Sequence, residues 1–201
     1  MLVGAHVGYT IGSVWAAQRI ARRKPPDYRV IAIMAMLPDL VDRFLYAFVL
    51  PDAQGGRLIA HTLLFNLALL ALLMAVKKGF WIYGLASLGH LLLNGDGLTL
   101  QHVFWPLLGA DLAHIGIAGG GLTTASYGQQ VIDRVRQILN TYGEAQLGAI
   151  LFEAGGLLAL ALFALCEGLY RPAALWRFLA TGMSKSWQLY EAHTVWREDI
   201  S

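Results

Sequence analysis

Charge is spread along this chain in a way that few folds accommodate. Its 15 Lys and Arg residues gather in short groups, such as Arg22-Arg23-Lys24 and Lys77-Lys78, and long apolar runs separate them. A helix needs about 20 apolar residues to cross the ~30 Å hydrocarbon of a bilayer, and basic clusters stop it at the headgroups. Charged residues make up 14% of the chain, against roughly 25% in a soluble domain. The deficit belongs to the runs, so it reads as membrane spans rather than as a uniformly apolar domain. A net charge of +2 gives no electrostatic footprint for nucleic acid.

The expected fold is all-α: a polytopic helical membrane protein with about five transmembrane helices and amphipathic interfacial helices. The spans are Leu2–Ile20, Arg29–Leu50, Leu58–Val76, Phe80–Leu93 and Ala145–Tyr170. The fourth is short and needs a thinned bilayer or an extra turn beyond Gly95. Residues 1–110 then form a four-helix core, 111–144 an external loop, and 145–201 the fifth helix with an interfacial tail. With Arg22–Arg29 in the cytoplasm, only Arg43, Arg57, Arg134 and Arg136 of the 15 basic residues fall outside. That bias places the N-terminus outside an inner membrane and the C-terminus in the cytoplasm. The first segment lacks a basic leader and a cleavage site, so it is expected to be retained. Cys166, the single cysteine, excludes an intrachain disulfide and is expected to pack inside its run.

Two further segments are amphipathic. Within Tyr127–Asn140, Val131, Ile132, Val135, Ile138 and Leu139 share one helical side. In the tail, Trp176, Ala180, Met183, Trp187 and Tyr190 form a stripe, either an anchor at the headgroups or a face packed on the protein. Gly119-Gly120-Gly121 has no phosphate-loop context and reads as a loop.

Polar residues inside spans are costly and need partners. Here they fall at corresponding depths. His6 is in the outer third of the first span. Asp39 and Asp42 follow Pro38 in the second, at i,i+3 on one face. His61 is expected one turn into the third span, and His90 and Asn94 share a face of the fourth. Four adjacent helices can thus bring three imidazoles and two carboxylates together. That nitrogen and oxygen set suits zinc, or manganese or iron. A bound cation would offset the desolvation of ionised Asp. Each residue also has a plainer reading: Asp42 as an ion-pair partner of Arg43 or Arg57, Asn94 as a helix cap, the histidines as hydrogen-bonded packing. His102, His114 and His193 lie outside the spans. Asn66 and Glu153 fit hydrogen bonds between helices, with Glu153 a minor candidate for the site.

The same residues resemble a known family, the YdjM-type membrane-bound metal-dependent hydrolases, also described as LexA-binding inner-membrane hydrolases. The matching pieces are Gly4-Ala5-His6, Met36-Leu37-Pro38-Asp39-Leu40-Val41-Asp42-Arg43, Ala60-His61-Thr62-Leu63-Leu64-Phe65, Gly89-His90-Leu91-Leu92-Leu93-Asn94 and Phe104-Trp105-Pro106-Leu107-Leu108-Gly109. They cover about the first 110 residues in order. The resemblance implies His6, Asp39, His61 and His90 as metal ligands, zinc above all, and Asp42 as a second ligand or catalytic base. One position departs: the family pattern has Asp four residues after the fourth-span His, where this chain has Asn94. Asp96 would substitute only if the helix unwinds at Gly95.

The function expected is a membrane-embedded metal-dependent hydrolase acting on lipids or phosphoesters from the outer leaflet. The alternative is a catalytically inactive subunit of a larger membrane complex, which Asn94 favours. A haem- or pigment-binding protein is the third reading, and the chain has no c-type haem attachment motif. The expected surroundings are lipid and, on the alternative reading, other membrane subunits.

Overall fold

The computed structural model describes residues 3–21, 23–49, 58–94, 103–107, 144–182, 184, 185 and 187, and every regular element among them is helical. The elements are α1 (Val3–Ala21), α2 (Tyr28–Phe48), a 3-10 turn (Ile59–His61), α3 (Leu63–Val76), a second 3-10 turn (Lys78–Phe80), α4 (Trp81–Leu93), α5 (Glu144–Cys166) and α6 (Pro172–Thr181). The expected helix at 127–140, the glycine run at 119–121, and Arg57, Asp96, His102, His114, Met183, Tyr190 and His193 lie outside the described residues.

The all-α expectation is met. Among the described residues, no helix is long and apolar enough to cross a membrane. α3 and α4 have only 14 and 13 residues, and α2 carries Arg29, Asp39, Asp42 and Arg43. On α3 the distribution of side chains is nonetheless inverted. α3 reads LLFNLALLALLMAV, and the residue it buries is Asn66, while Leu64, Leu67, Leu72, Met74 and Val76 are exposed.

Side by side, the helices run α5, α1, α2, α4, α3, so α4 inserts between α2 and α3. Glycines set the closest approach. Gly4, Gly8 and Gly12 repeat every four residues down one face of α1. They meet Leu157, Gly156 and Ala159 of α5, and a methyl at Gly8 would overlap the Gly156 carbonyl. Small residues at this spacing let two backbones approach closely. Tyr9 uses the space over Gly155, donating its hydroxyl to the Phe152 carbonyl at 2.9 Å. Glu153 Oε2 accepts from Ala5 N at 3.1 Å, satisfying a free amide in the first turn of α1. Asn66 donates to the Ala60 and Thr62 carbonyls and accepts from Ser87 Oγ, tying α3 to α4.

Helix ends follow local chemistry and correct the sequence boundaries. Thr62, in extended backbone, caps α3 by accepting from Phe65 N. His61 therefore stands in the 3-10 turn before the helix, not one turn into it. Gly168, at φ 72°, stops α5 in a left-handed cap, with Leu169 N donating to the Ala164 carbonyl. α5 thus ends at Cys166 rather than at Tyr170, and Cys166 is exposed instead of packed. Arg29 donates to the last carbonyls of α6, Leu179 and Ala180, while its other nitrogens hold the Asp27 carboxylate. That guanidinium keeps Asp27 below the usual carboxylate range. Of the tail stripe, Trp176 is exposed, and the residue α6 buries in the core is Phe178.

Candidate metal centre

At one end of the bundle, four elements supply His6, Asp39, Asp42, His61, His90 and Asn94. Five of the six side chains are buried, and only Asp39 reaches the surface, with 31% of its side chain exposed. The site therefore opens on the Asp39 side.

Asp42 builds the site from below. Its Oδ2 accepts from Leu58 N at 2.6 Å and its Oδ1 from Ala60 N at 2.8 Å, so the carboxylate caps the 3-10 turn. Oδ2 also lies 2.6 Å from His61 Nδ1. A carboxylate accepting at that distance holds a proton on Nδ1 and turns Nε2 inward, toward Asp39. His90 is set the same way. Its Nδ1 is 2.7 Å from the Ala35 carbonyl, which can only accept, so Nδ1 donates and Nε2 is turned inward. Pro38 loosens this stretch of α2 because it cannot donate to the Met34 carbonyl.

Three electron-pair donors now converge. His61 Nε2 is 3.3 Å from His90 Nε2 and 3.3 Å from Asp39 Oδ1, and His90 Nε2 is 3.5 Å from that oxygen. Donors at about 2.1 Å from a shared tetrahedral cation stand about 3.4 Å apart. In an overlapping set, His6, Asp39 and His90 each offer an atom within 4.8 Å of the others, and the three could hold a metal ion. The His6 ring stacks on His90 with centroids 4.2 Å apart, and its buried Nδ1 has no hydrogen-bond partner among the described residues. A buried nitrogen without a partner is unusual in a folded protein.

The structure thus places His6, Asp39 and His90 in one cluster that could hold a metal ion, with His61 beside Asp39 and His90. Asp42 is placed elsewhere. Among the described residues its hydrogen bonds run to Leu58, Ala60 and His61, so it orients that imidazole. Asn94 is both a cap and a site residue. Its backbone N–H closes α4 on the His90 carbonyl, and its Nδ2 lies 2.8 Å from His90 Nε2 and 3.3 Å from His61 Nε2. The amide thus stands against both inward imidazole nitrogens. A half-turn about χ2 would present its oxygen there instead. Two contributors escaped the sequence reading. The Ala35 carbonyl carries no side-chain signal, whereas the Gly4, Gly8, Gly12 repeat that holds α1 and His6 against α5 was readable from its spacing.

Comparison with protein-family models, curated proteins and solved structures found no match, so the resemblance rests on the motifs and the site on its own geometry.

Proposed function

We propose that this chain is a membrane-embedded, metal-dependent hydrolase of the YdjM type, acting on lipid or phosphoester substrates. The observation that carries the reading is the triangle of His61 Nε2, His90 Nε2 and Asp39 Oδ1, with sides of 3.3, 3.3 and 3.5 Å and both imidazoles held with Nδ1 protonated. His6, Asp39, His61 and His90 hold the cation, zinc by preference for this donor set. Such a cation would supply Lewis acidity, polarising an ester or phosphoester and acidifying water for its attack. Asp42 is a positioning residue that fixes the His61 ring, and it replaces the expectation of a base there. Asp39, at the open side, is where substrate reaches the centre.

The membrane part of the proposal is supported by the inverted packing. Asn66, Ser87, His61 and Thr62 are buried while leucines of α3 and α5 are exposed. Short helices lengthen through their neighbours: the turn at Ile59–His61 precedes α3, and that at Lys78–Phe80 precedes α4. Orientation is testable at Cys166, which is exposed. A membrane-impermeant maleimide should label it in inverted vesicles and leave it unlabelled in intact cells. Labelling in intact cells alone would reverse the orientation.

One observation favours the second reading, an inactive subunit. The Asn94 amide stands against both inward imidazole nitrogens, a contact that needs no metal. Asn94→Asp separates the readings, because a carboxylate accepts but cannot donate there. For a hydrolase with a weakened centre, Asn94→Asp raises bound metal and phosphoesterase activity. For a metal-free subunit it leaves metal content at zero and loosens the end of α4.

A further inference from the structure

α3 is mostly leucine and alanine, yet the residue it buries is an amide. Taking that amide out of water is costly unless its hydrogen bonds are made, and at Asn66 both ends of the amide are bonded. Where those bonds go is informative. Asn66 Nδ2 donates to the Ala60 carbonyl and to the Thr62 carbonyl, each at 2.9 Å. These two carbonyls flank His61, so the amide holds the 3-10 turn on either side of that residue. A turn of three residues has few and poorly aligned hydrogen bonds of its own. From α2, Asp42 holds the same turn by accepting from Leu58 N and Ala60 N. Thr62 Oγ1 adds a bond to the Ile59 carbonyl at 2.7 Å. The backbone around His61 is thus fixed from two helices.

The other end of the amide leads to the second imidazole. Asn66 Oδ1 accepts from Ser87 Oγ at 2.8 Å, and Ser87 is also fully buried. Ser87 stands three residues before His90 on α4, on the same helical face. A chain of hydrogen bonds therefore runs from the helix carrying His90, through Ser87 and Asn66, to the turn carrying His61. The two imidazoles at its ends approach to 3.3 Å at their Nε2 atoms. Joining α3 to α4 does not require this arrangement. Packing already does so, since Gly84 lets α4 rest on the Leu70 backbone of α3. Nor would such a joint explain why both N–H groups of Asn66 turn to the carbonyls beside His61.

We propose that Asn66 and Ser87 are positioning residues of the metal centre, setting the distance between His61 Nε2 and His90 Nε2. The proposal rests on the metal-dependent reading of that centre. Asn66 acts through the backbone of the turn, and Ser87 acts through Asn66. Zinc–nitrogen bonds of about 2.0–2.1 Å leave donor spacing little latitude, so a loosened turn weakens the site without removing a ligand.

The test uses the full chain in mild detergent, loaded with zinc or with cobalt(II), whose visible absorption reports coordination geometry. Ser87→Ala removes one hydroxyl and leaves α4 otherwise intact. Asn66→Leu replaces the amide with an apolar side chain of similar size. Each should weaken zinc binding about tenfold or more under a competing chelator and alter the cobalt spectrum, while circular dichroism shows the helices retained. Should Asn66→Leu fail to fold, Ser87→Ala decides alone. Folded variants with wild-type zinc affinity and an unchanged cobalt spectrum overturn the positioning role and leave the hydrolase reading standing. Wild type that takes up neither metal overturns that reading and this proposal with it.

Discussion

His61→Ala should leave the protein without bound divalent metal, and Asp39→Ala should do the same. His61 Nε2 and Asp39 Oδ1 are two corners of the donor triangle, 3.3 Å apart. Removing His61 leaves His6, Asp39 and His90, and removing Asp39 leaves three neutral imidazoles; either breaks the triangle that sets the donors at cation spacing, and the cation should not survive purification. Asp42→Asn should act differently. It keeps the shape but weakens acceptance from Leu58 N, Ala60 N and His61 Nδ1. The ring then loses its fixed tautomer, and metal affinity should fall by about 10–100-fold without vanishing. Titration with zinc under a competing chelator distinguishes loss from weakening. Equal affinity in wild type and His61→Ala would remove His61 from the ligand set.

Gly156→Leu should unfold the α1–α5 pair. A Cβ on Gly156 would run into the Ala5 backbone, and one on Gly8 into the Gly156 carbonyl. Backbone cannot swing aside as a flexible side chain does, so the helices must separate along their whole contact. That breaks the Tyr9–Phe152 and Ala5–Glu153 bonds as well. Overpacking alone costs about 1–3 kcal/mol, and the lost contacts take the expected destabilisation to the top of that range or beyond. Gly148 on the same helix has nothing within 4 Å of an added methyl. Gly148→Ala should therefore be neutral or raise stability by up to about 1 kcal/mol. Unfolding followed by circular dichroism compares the two. A Gly156→Leu protein as stable as wild type would show that α1 does not rest on α5. Because His6 rides on α1, Gly156→Leu should also weaken the metal centre at a distance.

Much of this was written in the sequence at the level of elements. The apolar runs predicted α1 to α5 to within a few residues, since a run bounded by charge or glycine has few other solutions. Placing each polar residue within its apolar run predicted a cluster of which the structure shows His6, Asp39 and His90, with His61 beside the last two. What the sequence could not carry was the division of labour between the two aspartates. Their i,i+3 spacing puts Asp39 and Asp42 on one face, as found. It could not reveal that one imidazole stands between them, with Asp39 at Nε2 and Asp42 at Nδ1. That depends on backbone amides of Leu58 and Ala60 folding back onto Asp42, a tertiary contact with no side-chain pattern. The same applies to His61, which a hydropathy run assigns to the helix and Thr62 caps out of it. Asn94 was legible as a departure. Its contact with both imidazoles was not, because an amide can present either end.

X-ray absorption at the zinc edge, on wild-type protein purified without chelator and loaded with zinc, tests the metal centre most directly. The account predicts about one zinc per chain with a shell of nitrogen and oxygen donors near 2.0–2.1 Å, at least two of them imidazole. Protein that takes up no zinc, or zinc in a shell without imidazole, would contradict it and leave a proton on His61 between Asp39 and Asp42 as the cluster's occupant.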